Sequence, residues 1–237
     1  MRRTAVAAGL AVLLLTTGCG ASSGERTTGS ASASSSSNGV AAKSADEILA
    51  AATAAAKQQS SVHVVGAQTS GTDTTKLDLT LVRDKGATGT ISMGGNEIQL
   101  ITVGGSVYMK ADKKFWTQFG SAAAAAVIGD RWVKASATNS SFADLASLGD
   151  FTSSLGSFLK PTSTLTKGEE KTVDGTPAIG LVDGSGTLWV ATDGEPLPIK
   201  IQPKAGTDGM TFSDWGADVT ITPPAEKDTL DLSKLTG

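Results

Sequence analysis

The sequence predicts an α+β fold on three observations. Residues 44–59 read as a capped helix with one apolar stripe, period-two apolar alternation fills long stretches on both sides of the chain's middle, and between them apolar residues recur at spacings of three and four. Ser44-Ala45-Asp46-Glu47 has the pattern of a capping box, and Ile48, Leu49, Ala52, Ala55 and Ala56 then follow on one face as far as Gln59.

After Ser61 the period falls to two. Val62 and Val64 alternate, then Leu77, Leu79 and Leu81 around Asp78 and Thr80, then Ala87, Gly89, Ile91 and Met93, which predicts strands with one buried face. Turn residues stand between them at Gly71-Thr72-Asp73, Asp84-Lys85-Gly86, Gly94-Gly95-Asn96, Gly104-Gly105 and Asp112-Lys113, so consecutive strands are expected to be antiparallel neighbours. In Glu97–Val103 the alternation slips phase, since Ile98 and Leu100 share one face while Ile101 and Val103 share the other; a β-bulge or burial of both faces would produce that pattern.

From Gly120 to Pro161 the pattern turns helical, with SAAAAAVIG first and then Leu148, Phe151, Leu155, Phe158 and Leu159. Pro161 closes that helix because it cannot donate to the ladder. Residues 165–222 return to strands, with turns at Asp174-Gly175, Asp183-Gly184-Ser185-Gly186, Asp193-Gly194 and Thr207-Asp208-Gly209. The whole of residues 44–237 is therefore expected to be one α+β domain.

The N-terminal residues predict export. Arg2 and Arg3 precede an uncharged run from Ala5 to Leu15, which is too short to span a bilayer core of about 20 helical residues and reads as the core of a signal peptide, residues 1–18. Leu15, Thr17, Gly18 and Cys19 resemble the bacterial lipobox, in which the cysteine becomes the acylated N-terminus; Thr16 stands where leucine is commonest. Cys19 is the single cysteine, so no intramolecular disulfide can form, and acylation would remove an otherwise unpaired thiol from an oxidising compartment. Residues 19–43, rich in Ser, Gly and Ala, read as a lipidated cysteine followed by a flexible tether. The expected location is the outer face of the cell membrane, with the lipid as anchor.

Charge and residue inventory narrow the chemistry. Loss of Arg2 and Arg3 with the signal takes the formal charge from −3 to −5, which argues against a nucleic-acid partner. His63 is the only histidine, there is no G-x-S-x-G elbow, and one lipidated cysteine with one histidine cannot build a tetrahedral metal site, so the expectation is a protein without enzyme activity, metal or cofactor. His63 reads as a solvent-face strand residue, and the DGSG and TDG stretches read as turns, since they lack the alternating oxygen ligands of a calcium loop.

The Ser/Gly tether, opening helix and long meander, with VYMKADKKFWTQFG at residues 107–120 and GMTFSDWGADVTITPPAEKDTLDLSKL at 209–235, resemble the actinobacterial LppX/LprAFG lipoproteins and, more distantly, the LolA/LolB-like lipoprotein carriers. The most specific piece is the expected C-terminal strand Met210–Ile221 with Trp215-Gly216, followed by Pro223-Pro224. The resemblance implies a strongly curved antiparallel sheet, a half-barrel, with helices on its concave face and an apolar cavity between the layers that takes up lipid acyl chains. On that reading Leu77, Leu79, Leu81, Ile91, Met93, Ile98, Leu100, Val107 and Met109 on the sheet would face Leu148, Phe151, Leu155 and Leu159 on the helices. The apolar pattern by itself fits equally a plain core at interior density, which would suit a structural or protein-interaction lipoprotein.

Overall fold

The computed structural model describes residues 37–204 and 208–234. The expected signal peptide, Cys19 and the tether as far as residue 36 lie outside them. The helix expected after Ser44 is α1, Ala45–Gln58, and its cap is the predicted box: Glu47 N–H donates to Ser44 Oγ at 3.4 Å while Glu47 Oε2 accepts from Ser44 N–H at 3.0 Å. Ile48, Ala52 and Ala56, spaced by four, form its buried stripe, and the two alanines let the helix lie close on what it covers.

The first meander runs through β1 (Ser61–Ser70), β2 (Asp73–Val82), β3 (Gly86–Met93), β4 (Asn96–Val103) and β5 (Ser106–Ala111). Two short helices follow, α2 (Lys113–Phe119) and α3 (Ala122–Ile128), then β6 (Trp132–Ser136), α4 (Ala143–Ser147) and α5 (Phe151–Phe158). The second meander is β7 (Thr166–Val173), β8 (Thr176–Val182), β9 (Gly186–Ala191), β10 (Pro198–Pro203) and β11 (Gly209–Ser213), and a short β12 (Thr229–Asp231) ends the fold.

All twelve strands form one sheet in the order β12-β6-β5-β4-β3-β2-β1-β11-β10-β9-β8-β7, antiparallel throughout except where β12 lies parallel to β6. Each meander pairs through its own short turns, and the β1·β11 ladder joins the two. One cross-strand row shows how the alternation fixes the buried face: Val133, Met109, Leu100, Gly89, Leu79, Val64 and Phe212 are successive register partners across seven strands.

The helices lie on that face, and the sheet curls around them. Eight strand spacings separate β5 from β8, about 38 Å on a flat sheet. Yet the cluster that holds Ala56 of α1 extends to Val107 of β5, and the one that holds Ile48 and Ala52 takes in Ile179 and Leu181 of β8, although the 14 residues of α1 are only about 21 Å long. Two buried clusters joined through one short helix fit a sheet that curls around its helices. The α+β architecture with a curled antiparallel sheet and helices inside the curl is thus the observed fold.

Several local expectations change. Asp112 does not sit in a hairpin turn; its carboxylate accepts from Phe115 N–H at 2.7 Å and caps α2. The stretch expected to be helical contains β6, whose Val133 and Ala135 point into the core. β4 has no bulge and keeps an unbroken register, with Thr102 taking the inward position that follows Ile98 and Leu100. Its buried hydroxyl accepts from Ala87 N–H at 2.8 Å, so the inward site costs no unpaired polar group, while Ile101 and Val103 are half-buried on the outer face. The expected strand Met210–Ile221 ends at Ser213, because Asp214 has φ 51° and Gly216 φ 74°, both outside the strand region.

The folded body also begins earlier than Lys43. Asn38 N–H donates to Thr192 O at 2.8 Å, Asn38 Nδ2 donates to Ala191 O at 3.1 Å, and Asn38 Oδ1 accepts from Val40 N–H at 3.0 Å. Val40 is 2% exposed, packed with Ile48, Leu181 and Val190. Removing the Asn38 amide with Asn38→Ala is expected to lower stability by about 1 kcal/mol, read as a shift of the urea midpoint.

Candidate functional site

Most of the residues expected to line a cavity are brought together, but as a packed core. Leu79, Leu81, Leu100, Val107, Phe151, Leu155 and Leu159 belong to one buried cluster, with Leu77, Ile91 and Leu148 half-buried against it. Ile98 and Met109 join a separate cluster under α2 and α3, with Trp116 and Ile128. Met93, at the far end of β3, is 39% exposed and faces no helix cluster.

The open space beneath the helices lies beside that core. A slot of about 60 Å³ separates Leu49 of α1 and Phe158 and Leu159 at the end of α5 from Leu188 of β9 and Ile201 of β10, with Leu165 closing one side. Of these residues only Leu159 stood among the expected lining. Leu49 belongs to α1, Phe158 ends α5, Leu165 precedes β7, and Leu188 and Ile201 lie on the inner face of the second meander, whose apolar pattern in residues 176–201 carried the same signal as the first.

Two charged residues, Lys160 and Asp183, also line the slot. Burial alone would raise the carboxyl of Asp183, but Ser185 Oγ–H and N–H (2.6 and 2.8 Å) and Thr162 Oγ–H and N–H (both 2.8 Å) donate to it, and together they hold it well below the usual carboxylate range. With its oxygens occupied by these donors and by Gly186 N–H at 3.1 Å, Asp183 pins the β8–β9 turn. The sequence placed it in a turn rather than a calcium loop, and among the described residues no group of three or more His, Cys, Asp or Glu is placed to hold a metal ion.

Because the folded carboxyl is more acidic than its unfolded counterpart, it stabilises the fold above the ordinary aspartate value of about 3.9, and this contribution fades as pH falls toward the folded value. Asp183→Asn is expected to lose roughly 2 kcal/mol at pH 7. The gap to the native chain should narrow steadily as the pH is taken from 4 to 2, which urea midpoints at each pH would measure.

A larger hollow lies elsewhere. On the outer face, Val65, Ala67 and Thr211 form the floor and Lys76, Asp78 and Lys200 the walls of an open groove of about 500 Å³. Lys200 Nζ is bound to Asp174 at 3.0 Å. Four charged residues line that groove, Asp208 among them, against two in the smaller and mainly apolar slot, which is therefore the better candidate for an acyl chain despite its size.

His63 lies on the same outer face, as its strand position predicts. Its side chain is 29% exposed, with Nε2 at 2.7 Å from Asp78 Oδ1 and Nδ1 at 3.5 Å from Asp214 Oδ2. Ser213 Oγ is 3.4 Å from Nδ1 and donates to Asp214 at 3.0 Å. The sequence alone could not bring Asp78, Ser213 and Asp214 to this ring, since two of the three lie about 150 positions away.

No family model matches the chain, and no curated protein does. Among solved structures, the crystal structure of MucB is similar at 18% identity and a TM-score of 0.30; the match covers 77% of this chain and 61% of that one.

Proposed function

We propose that the chain is an exported lipoprotein, anchored through acylated Cys19 on the outer face of the cell membrane, which binds an acyl chain of a lipid between its sheet and helices and carries or presents that lipid in the cell envelope. It does no chemistry on the lipid and needs no cofactor. The observation that supports this reading is the apolar slot between α1, the end of α5 and β9–β10. At about 60 Å³ it is far below the roughly 300–1,000 Å³ of occupied small-molecule sites, so the ligand must part the layers as it enters. The lodging surface is then the slot enlarged toward the Leu155–Leu159 side of α5.

A second reading has its own support. Leu79, Leu81, Leu100, Val107 and Leu155 are at most 1% exposed, which is the burial of a closed core and suits a lipoprotein that binds another protein by its sheet face. Native mass spectrometry of the chain from residue 20 onward, purified from its host without detergent, separates the two. The lipid reading expects a mass excess that disappears on organic extraction. A bare mass that stays bare after envelope lipids are added leaves the closed-core reading standing.

A further inference from the structure

The connection from β11 to β12 spans most of the sheet. Seven strand spacings, about 34 Å, separate the two strands, and residues 214–228 bridge them without a strand and with only one short 3₁₀ turn, Glu226–Asp228, at the end. Both ends of this connection meet one outward-facing cross-strand row. Asp231, Lys134, Tyr108, Ile101, Thr88, Thr80, His63 and Ser213 are successive register partners from β12 to β11.

Each end is closed by contacts between a basic side chain of that row and carboxylates. At the β12 end Lys134 Nζ lies 3.2 Å from Asp231 Oδ2, where Asp231 is 19% exposed and its carboxyl is held low by the Ser233 hydroxyl and by Lys134 itself. Pro223 and Pro224 sit beside Tyr108 and Lys134 there. At the β11 end the partner is His63, whose two nitrogens face Asp78 and Asp214. Asp214 also holds φ 51°, a left-handed conformation that turns the chain out of β11.

The two clasps differ in kind. A lysine–carboxylate pair stays charged across the neutral range. A neutral imidazole has one N–H and can donate to only one of two flanking carboxylates, whereas the imidazolium donates to both. In the neutral ring that donates to Asp78, the Nδ1 lone pair faces Asp214. The Ser213 hydroxyl can relieve this by turning to Nδ1, but it then abandons Asp214. Either way the link between the ring and Asp214 is lost. The ionisable groups that meet the ring are Asp78 from β2 and Asp214 from the β11 end.

We propose that residues 214–228 form a strap across the sheet, fixed at its β12 end by Lys134 and Asp231 and latched at its β11 end by protonated His63, so that the β11 end loosens as the imidazole loses its proton. The chain's single histidine makes the test unambiguous. Amide hydrogen exchange of the full chain, corrected for intrinsic rates, is measured at pH 5 and pH 8. Residues 214–222 should exchange about two- to fivefold faster at pH 8, the size that half-exposed ion pairs warrant, while Leu79 and Leu81 in β2 keep their protection.

In His63→Gln and in Asp214→Asn, the second of which keeps a residue tolerant of positive φ, the strap should exchange at the faster rate at both pH values. Lys134→Met should speed exchange at both pH values and leave the ratio between them intact. Equal strap rates at pH 5 and 8 in the native chain would overturn the latch. So would a pH dependence that survives in either His63→Gln or Asp214→Asn.

Discussion

Gly86→Ala is expected to cost about 4 kcal/mol or more and to leave little folded protein, a loss at the exceptional end of single substitutions. A Cβ at this position would stand 1.8 Å from the carbonyl oxygen of Thr102 and 2.7 Å from its carbonyl carbon. Both are backbone atoms of the neighbouring strand and cannot swing aside. The glycine also holds φ +127°, a conformation L side chains rarely adopt. It lies where β3 pairs with both β2 and β4, opposite Val82 and Val103, so relief would mean opening two ladders at once.

The fitting control is Gly71→Ala in the β1–β2 turn. Gly71 also has positive φ, at +63°, but open space where its Cβ would go, so it should lose only about 1–2 kcal/mol from the left-handed conformation. Thermal or urea unfolding of the two variants separates clash from backbone strain. Similar, small losses in both would mean that β3 and β4 can move apart at Gly86 without disturbing the sheet.

What could be read in advance was local. The capping box of α1 needs four consecutive residues, and β2 announces itself by Leu77, Leu79 and Leu81 within five. β6 was hidden for the opposite reason: five residues show only two inward positions, Val133 and Ala135, and its partner β5 lies beyond two intervening helices. The tail misled by its alternation. Val219 and Ile221 are both half-buried with exposed Thr220 between them, as in a strand, yet the positive φ at Asp214 had already turned the chain out of the sheet. An aspartate in a left-handed turn carries no mark in sequence that distinguishes it from an aspartate in a strand's last position.

The same limit applied to the site. Apolar alternation identified the inward face correctly for Leu79, Leu81 and Leu100, but which part of that face touches a helix depends on where the helices come to rest. Leu49, Leu188 and Ile201 reach the slot because α1 lies across the second meander as well as the first, a consequence of the β1·β11 ladder between residues about 150 apart. No pattern within either meander encodes that pairing.

Leu155→Ala is expected to lower stability by about 2–5 kcal/mol and, if the acyl-binding reading holds, to increase uptake of a fluorescent fatty acid at the same time. Leu155 is fully buried on α5 in the cluster that contains Leu79, Leu81 and Phe212. It stands one turn before Leu159, which lines the slot, so the side chains of the two are neighbours on one face of the helix. Shortening Leu155 therefore removes apolar contact between α5 and the sheet at the place where a ligand must part them. The work of parting the layers falls while the apolar surface offered to the chain remains.

Ile98→Ala provides the comparison, since Ile98 is 3% exposed in the separate cluster under α2 and α3. It should destabilise to a similar extent without raising uptake, because its cavity does not open toward the slot. A gain in both variants would reveal general loosening rather than a ligand path. No uptake in the native chain or in either variant, against equal losses of stability, would mean that sheet and helices form a closed core, and the protein's binding surface would then have to be sought on the outside of the sheet.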